Sequence, residues 1–516
     1  MGAVYRHFKS RAQKKADSEI FPNIPFAPGA HWLVGHLVML RNKDDFERGY
    51  KHVYVDYADP KTGVCSLWFV TVPAVNVLLG HHVKSVLAAS SFRKPVGLLK
   101  AHNDNFLGSK ALVTLMGKDW RKYRSAVHKS FTPAALKEAQ SSIHQVGKTL
   151  VGSLLSAIAD NTAKSMEQPI LPLMKMATID VFGLAAMDID FECCKELELT
   201  KVAYAFEHLN QEFARRLATP LNPFSSLYWL PTKANKRHRS QRNIIRQFIA
   251  HQIAQTRKEM ESRTSENKSN NANTLLANIL RTAEQDMEDF SDEAIGDIMM
   301  TLLFGGYDTT SITLSYALYL LATNPTIQSE CVKEVETVFT ADEEFTEDEL
   351  PYTRAVVLEV MRLYPPAPVT ARNLEKPMEL VPGTILPKGT MMLVPIWSIQ
   401  RDERNFERPL EMLPERWVKR AANNGSGKGS LWEDRPSDDI QSSPDIPPAN
   451  RDAFCVFSAG ARNCVGRKLA IQEAVTLLAH LVEKLKFEAL EEVKPVLSSV
   501  LQQPDRGLPM RISARK

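Results

Sequence analysis

The stretch that most limits how this chain can fold is residues 292–322, its longest apolar helical pattern. An apolar helix of that length either spans a bilayer or forms the centre of a large core. Asp297 and Asp308 interrupt it, the second near the middle, where a charge inside a bilayer is most costly. The pattern therefore predicts a buried central helix. Within it, Gly305-Gly306-Tyr307-Asp308-Thr309-Thr310 goes against helix propensity. Each glycine costs about 1 kcal/mol relative to alanine in a helix interior. A purely structural helix would avoid two together, and such local conflicts point to a functional site. The small residues leave room for a diatomic ligand and a water. Asp308 and Thr309 supply an acid and a hydroxyl suited to relaying a proton.

A second constrained stretch is Phe457-Ser458-Ala459-Gly460-Ala461-Arg462-Asn463-Cys464-Val465-Gly466. Apolar residues follow it at helical spacing, at Leu469, Ile471, Val475, Leu478, Leu481 and Leu485. This predicts a turn opening into a helix, with the Cys464 sulfur at the positive N-terminal end. A thiol there is favoured as thiolate, the form that binds metal. The glycines permit positive φ and close approach of the backbone to something large and flat. A thiolate under an iron porphyrin pushes electron density onto the iron and favours O–O cleavage. Taken alone, the loop also admits a buried structural cysteine beside a helix start.

At these residues the chain resembles the cytochrome P450 family of haem-thiolate monooxygenases, whose F-x-x-G-x-R-x-C-x-G pattern is matched at every fixed position. The resemblance implies a mainly α-helical catalytic domain over residues 22–516, with a small β-sheet region. It implies haem b with Cys464 as the axial metal ligand, and Phe457, Gly460 and Gly466 shaping the loop beneath it. The central-helix run matches the family's oxygen-binding motif, so Asp308 and Thr309 become the implied catalytic pair.

Further motifs follow in the family's order. Trp120 and Arg124 lie four apart on one predicted helix face, so both can point at one acidic group. The resemblance sends Trp120, Arg124, Arg372 and Arg462 to the haem propionates. Glu359 and Arg362, three apart, are spaced for an ion pair. The family adds Arg416, from Pro414-Glu415-Arg416-Trp417, to lock the fold around the haem loop.

Composition and charge exclude other classes. With 44% hydrophobic and 24% charged residues the chain is ordinary for a globular protein. A net charge of +4 without basic–aromatic tracts gives no basis for nucleic acid binding. The six cysteines form no C-x-x-C and complete no zinc site with histidine, which suits reduced thiols on the cytosolic side. Residues 1–21 read as a basic segment without a transmembrane helix, carrying Arg6, Lys9, Arg11, Lys14 and Lys15. Met1-Gly2 fails as a myristoylation signal because Arg6 stands where serine or threonine is expected. Targeting to an organelle stays open.

Pro22, Pro25 and Pro28 make a proline-rich entry, and the β-branched run 64–79, broken at Pro73, predicts a two-stranded hairpin. Helices are predicted at 201–217 and 234–262. Between them the aromatic, apolar connector 220–231 precedes Lys233, Lys236, Arg237, His238 and Arg239, a combination suited to peripheral membrane contact. Residues 261–274 read as a polar loop, and 421–450, low in apolar content, as a disordered insertion.

The implied reaction is monooxygenation of a lipophilic substrate with O2 and NADPH-derived electrons from a cytochrome P450 reductase or an equivalent donor. The implied place is the cytosolic face of the endoplasmic reticulum. Lys122, Lys129, Lys419, Arg420, Arg467 and Lys468 are candidates to steer that donor. Phe304–Thr310 and Arg401–Phe406 look most like the branch containing fatty-acid ω-hydroxylases. Gly305 replaces the glutamate that many of those carry, so no covalent haem link is expected, and carotenoid or sterol substrates stay open. Pocket residues are expected in 98–113, the 220s connector, 367–370 and 499–503. The alternative is a reductase-independent isomerase or dehydratase of lipid hydroperoxides. Such enzymes often lose the acid–alcohol pair that is present here.

Overall fold

The protein was analysed as a computed structural model, which describes residues 21–30, 36, 46–69, 72–89, 104–217, 230–263, 273–285, 290–339, 344–421, 430–435, 450–498 and 500–515. The basic start, the 220–229 part of the connector, residues 264–272, 422–429 and 436–449 lie outside that set, as do 98–103 and Ser499 of the expected pocket.

The helices that position the site are α1 (Gly117–Ser130), α2 (Pro133–Asp160), α3 (Ile170–Met187), α4 (Lys201–Leu217), α5 (Lys233–Arg263), α6 (Leu275–Gln285), α7 (Asp292–Thr323), α8 (Pro351–Leu363) and α9 (Arg467–Lys484). Their termini follow local chemistry. The Ser291 hydroxyl accepts the Ala294 N–H at 3.2 Å, and Asp292 and Glu293 sit in the first turn of α7, where the helix dipole favours acids. Thr132 caps α2 through the Ala135 N–H at 3.0 Å, with Pro133 in the first turn.

Two apolar cores flank α7. One joins α2, α3, α8 and α9 to the Ile312–Leu321 half of α7; the other joins α1, α4, α5 and α6 to its Ala294–Leu303 half. The Gly305–Thr310 segment falls between these halves, with Tyr307 packed into the second core.

The strands are β1 (Val64–Phe69), β2 (Val72–Val77), β3 (Thr370–Asn373), β4 (Met391–Val394), β5 (Val418–Arg420) and β6 (Trp432–Asp434), with a further sheet at the C-terminus. One sheet runs β1-β2-β4-β3. Pro73 does not break the hairpin but lies within β2, opposite Trp68. The parallel pairing with β4 begins at Ala74, so the missing proline N–H is not required on that side.

Two sequence expectations change. The predicted disordered run 421–450 contains an ordered strand, β6. Trp432 packs on the Tyr352 ring with centroids 4.7 Å apart and lies under the Arg420 guanidinium at 4.3 Å, while the Ser430 hydroxyl donates to Glu334. One tryptophan supplies the anchor that low average apolar content conceals. His238 does not join the basic cluster suited to membrane contact; it is buried, and burial drops its pKa to about 4. Among the described residues, the helix long and apolar enough to cross a membrane is α3, mean hydropathy 1.6, and 83% of it is buried in the core.

Candidate active site

Ser458 and Gly460 turn the loop before α9 with φ of 58° and 69°. A side chain at Gly460 would bring its Cβ within 2.6 Å of the Leu87 carbonyl oxygen, so packing as well as φ demands glycine there. Gly466 differs. Its φ is −86°, and a Cβ would meet nothing within 4 Å, so this glycine serves open space rather than backbone geometry. The Cys464 N–H donates to the Phe457 carbonyl at 2.9 Å, which fixes the cysteine in the loop.

Cys464 is exposed, whereas the other five cysteines are buried. Burial pushes the thiols of Cys65, Cys193, Cys331 and Cys455 up to about 12, and raises Cys194 well above its ordinary value. Cys464 is the thiol placed to act as a ligand. It opens onto a cavity of about 350 Å3. Cys464, Gly466 and Leu469 lie along one part of the lining, and Gly305, Gly306 and Thr309 of α7 along another. At Gly305 also a Cβ would touch nothing within 4 Å.

Three of the four predicted anion-side residues, Trp120, Arg124 and Arg462, line this cavity, though not as a simple Trp–Arg pair, while Arg372 lies outside the lining. The Arg462 guanidinium lies 4.0 Å from the Trp120 ring centroid and donates to the Leu112 and Leu115 carbonyls at 3.3 and 2.6 Å. Arg124 donates to the Asn463 side chain at 2.7 Å. Arg372 is wholly buried and donates to Thr370, Ala371 and the Ser458 hydroxyl, while its Nε has no hydrogen-bond partner. Burial alone lowers Arg372 to about 10. Burial, then the charges of Arg372 and Arg124, lower Arg462 to about 9, with Glu375 opposing weakly. Buried cations that repel one another are costly unless an anion lies among them.

Thr309 and Asp308 face different surroundings. Thr309 lines the cavity, and its hydroxyl donates to the Gly305 carbonyl at 2.6 Å. Asp308 is buried outside the lining, with Oδ1 3.2 Å from Lys175 Nζ and Oδ2 accepting from the Asn210 amide. Lys175 also holds Glu207 at 2.9 and 3.0 Å, and the Tyr307 hydroxyl donates to Glu207 at 2.9 Å. Burial raises the Asp308 carboxyl despite Lys175. In Glu207 burial pushes upward most strongly, but the Lys175 charge together with hydrogen bonds from Lys175, Gln211 and Tyr307 outweighs it and the net direction is down. The cluster ties α3, α4 and α7 together. The lone charges of Lys175 and Asp180 in the apolar run of α3 were its sequence signal.

Glu359, Arg362 and Arg416 form one buried cluster. Arg362 grips Glu359 at 2.8 and 2.9 Å, and Arg416 reaches it at 3.2 Å. Two partners escaped the sequence reading. Trp417 donates to Glu359 at 2.9 Å, and Gln400 donates to the Met361 and Arg362 carbonyls while accepting the Cys455 N–H at 3.1 Å. Gln400 thus links the cluster to the start of the thiolate loop.

Of the candidate docking cations, Lys419 pairs with Glu433 at 3.4 Å and Arg420 with Glu330 at 3.4 Å. Lys122 and Arg467 cover the Phe290 and Phe457 rings at 4.9 and 5.5 Å. Of the expected pocket residues, Leu112, Val113 and Ala367 line the cavity. Gln502 instead accepts the Tyr316 hydroxyl at 2.9 Å.

An exposed thiol, a glycine-bordered cavity and an edge of buried cations fit a flat group with anionic substituents. A mainly helical fold around such a thiol defines the haem-thiolate class. A family model described as Cytochrome P450 matches residues 25–509, and the chain belongs to the cytochrome P450 family, whose members are haem-thiolate monooxygenases. It is 28% identical to Cytochrome P450 4ae1 of Drosophila melanogaster over 401 residues, covering 76% of this chain and 74% of that protein. It is 24% identical to Cytochrome P450 4V2 of Homo sapiens over 510 residues, covering 95% and 90%. Against Cytochrome P450 3A2 of Rattus norvegicus the identity is 24% over 463 residues, covering 86% and 83%.

Proposed function

We propose that this chain hydroxylates a lipophilic substrate of the fatty-acid, carotenoid or sterol class, with O2 and electrons passed from NADPH by a reductase. The observation that carries the reading is the pairing of one exposed thiol with a small-residue stretch of α7 across a largely apolar cavity. Cys464 would hold haem b from the proximal side. Arg124, Arg372 and Arg462, with Trp120 under Arg462, would hold its propionates. When bound, the haem supplies activation of dioxygen and insertion of one oxygen atom into a C–H bond.

The chain's own residues do the rest. Gly305 and Gly306 leave room beside α7, and Thr309 turns its hydroxyl oxygen toward that room. Asp308 lies behind the helix, held by Lys175 and Asn210. Glu359, Arg362 and Arg416 keep the loop's backing rigid through Gln400. The apolar lining excludes water from substrate. Peripheral contact with the cytosolic face of the endoplasmic reticulum through the 220–231 connector completes the proposal.

The test is reconstitution of the haem-loaded full chain with NADPH–cytochrome P450 reductase, screened with fatty acids, sterols and carotenoids for binding spectra and product. Product that depends on reductase, NADPH and O2 supports the reading. Turnover of a lipid hydroperoxide without reductase, and none with it, contradicts it and favours the isomerase class.

A further inference from the structure

We propose that a small apolar cavity between α3, α4, α5 and α7 is a docking site for dioxygen, separated from the main cavity by the ring of Phe182. Its use in turnover rests on the monooxygenase reading above; its existence does not.

The cavity measures about 10 Å3, against about 350 Å3 for the main one. On that scale it has room for about one water-sized molecule. Its wall includes Ile179 and Met187 of α3, Phe206 of α4, Ile245 of α5, and Met299 and Leu303 of α7. Every side chain described in the wall is hydrocarbon or thioether. A buried water needs about two to four polar partners, so a space of this kind stays dry and takes apolar guests.

Phe182 belongs to the walls of both cavities. Its ring faces Gly306 of α7, where a Cβ would stand 3.9 Å from Phe182 Cδ2. One ring therefore lies between the small cavity and the small-residue stretch that borders the main one. On the opposite side the wall includes Val202 and Phe248, which are half-buried, whereas Phe206, Ile245 and Met299 are buried. The cavity thus stands between the surface of α4 and α5 and the Phe182 ring.

The chemistry of the wall selects the guest. An ion or a hydrogen-bonding solute finds no partner there, and a lipid-sized substrate does not fit. Dioxygen is neutral, apolar and little larger than water. Met187 and Met299 are unbranched and adapt their shape to what they enclose. A lipophilic substrate occupies the main cavity while O2 is consumed beside α7. A side station lets the gas arrive past Phe182 without displacing that substrate.

The experiment uses dissolved O2 itself as the probe, because its unpaired electrons speed the relaxation of nearby nuclei. Haem-loaded full-length protein labelled at the methionine methyls is compared by NMR under O2 and under N2. Under O2 the Met187 and Met299 methyls should gain more relaxation than that of Met510, which is buried in the other core. Val202→Ile adds a methyl group to the cavity and should abolish the excess; Ile249→Val removes one and should increase it. No excess in the wild type, or an excess that neither substitution moves, overturns the site. Should Val202→Ile not fold, Ile249→Val decides by the same signals. With laurate and reductase present, the KM for O2 should rise in Val202→Ile while kcat at saturating O2 holds, and an unmoved KM overturns the delivery role. If the wild type shows no reductase-dependent O2 consumption, the monooxygenase reading fails, while the relaxation result still decides the cavity.

Discussion

The carboxylate of Glu359 accepts from two nitrogens of Arg362, at 2.8 and 2.9 Å, with both side chains entirely out of solvent. Arg416 shares the same carboxylate and Trp417 donates to it. Removing the one anion leaves two guanidinium groups buried without a counter-charge. Breaking a buried pair in this way costs about 3–5 kcal/mol. Glu359→Ala should therefore lower unfolding stability by that amount, read by denaturant titration. Because Gln400 connects the cluster to Cys455, haem retention should fall with it.

Arg372 makes the opposite case. It is buried and, among the described residues, has no anionic partner and no hydrogen-bond partner at Nε. Arg372→Met should leave the haem-free protein as stable or more stable, by up to about 1–4 kcal/mol, as when buried charges give way to apolar side chains. The same variant should lose haem faster. Calorimetry of the haem-free protein and transfer of haem to an acceptor globin measure the two effects separately. A variant that destabilises the empty protein while retaining haem would remove Arg372 from the propionate side.

Thr309 is the hydroxyl of the implied catalytic pair that lies on the cavity wall. Thr309→Ala removes a hydroxyl that donates to the Gly305 carbonyl of its own helix. NADPH consumption should continue while product falls and peroxide rises, by about tenfold or more if the hydroxyl guides a proton. Full coupling in the variant would exclude that role.

The pair His144 and His480 sets an acid limit. Their ring nitrogens lie 2.9 Å apart, and the His144 Nε2 meets the Phe345 carbonyl at 2.9 Å. Burial, then His144 and Lys148, lower His480 to about 3; burial also lowers His144, with Phe345 and Glu344 opposing and Lys148 assisting. Below the ordinary histidine value of about 6.5 the unfolded chain binds a proton that the folded His480 refuses. Stability is then fully present above that pH and falls as pH drops toward His480's folded value. The slope approaches about 1.4 kcal/mol per pH unit for each such group. His480→Phe should flatten the curve of stability against pH between about 6 and 4.

The motif residues were legible because their chemistry needs fixed residue types at fixed spacing. Spacing singled out Cys464, Arg462 and Thr309, which the structure brings to one cavity, and Glu359, which it places in a buried ion-pair cluster. The central helix was legible too, since α7 (Asp292–Thr323) follows the apolar pattern of 292–322. What spacing could not show was which group on another element meets a motif residue. Lys175 and Asn210 reach Asp308 from α3 and α4, and Gln400 reaches Cys455 from a separate turn. The anchored strand at Trp432–Asp434 was lost by averaging composition over a polar stretch.

The most direct test of the account is the absorption spectrum of the reduced carbon-monoxide complex of the full-length protein, beside Cys464→Ser. The expected result is a thiolate-type spectrum in the wild type that disappears in the variant while the fold persists by circular dichroism. An unchanged spectrum in Cys464→Ser would contradict the account, because the exposed thiol on the cavity would not be the ligand on which the rest of the site depends.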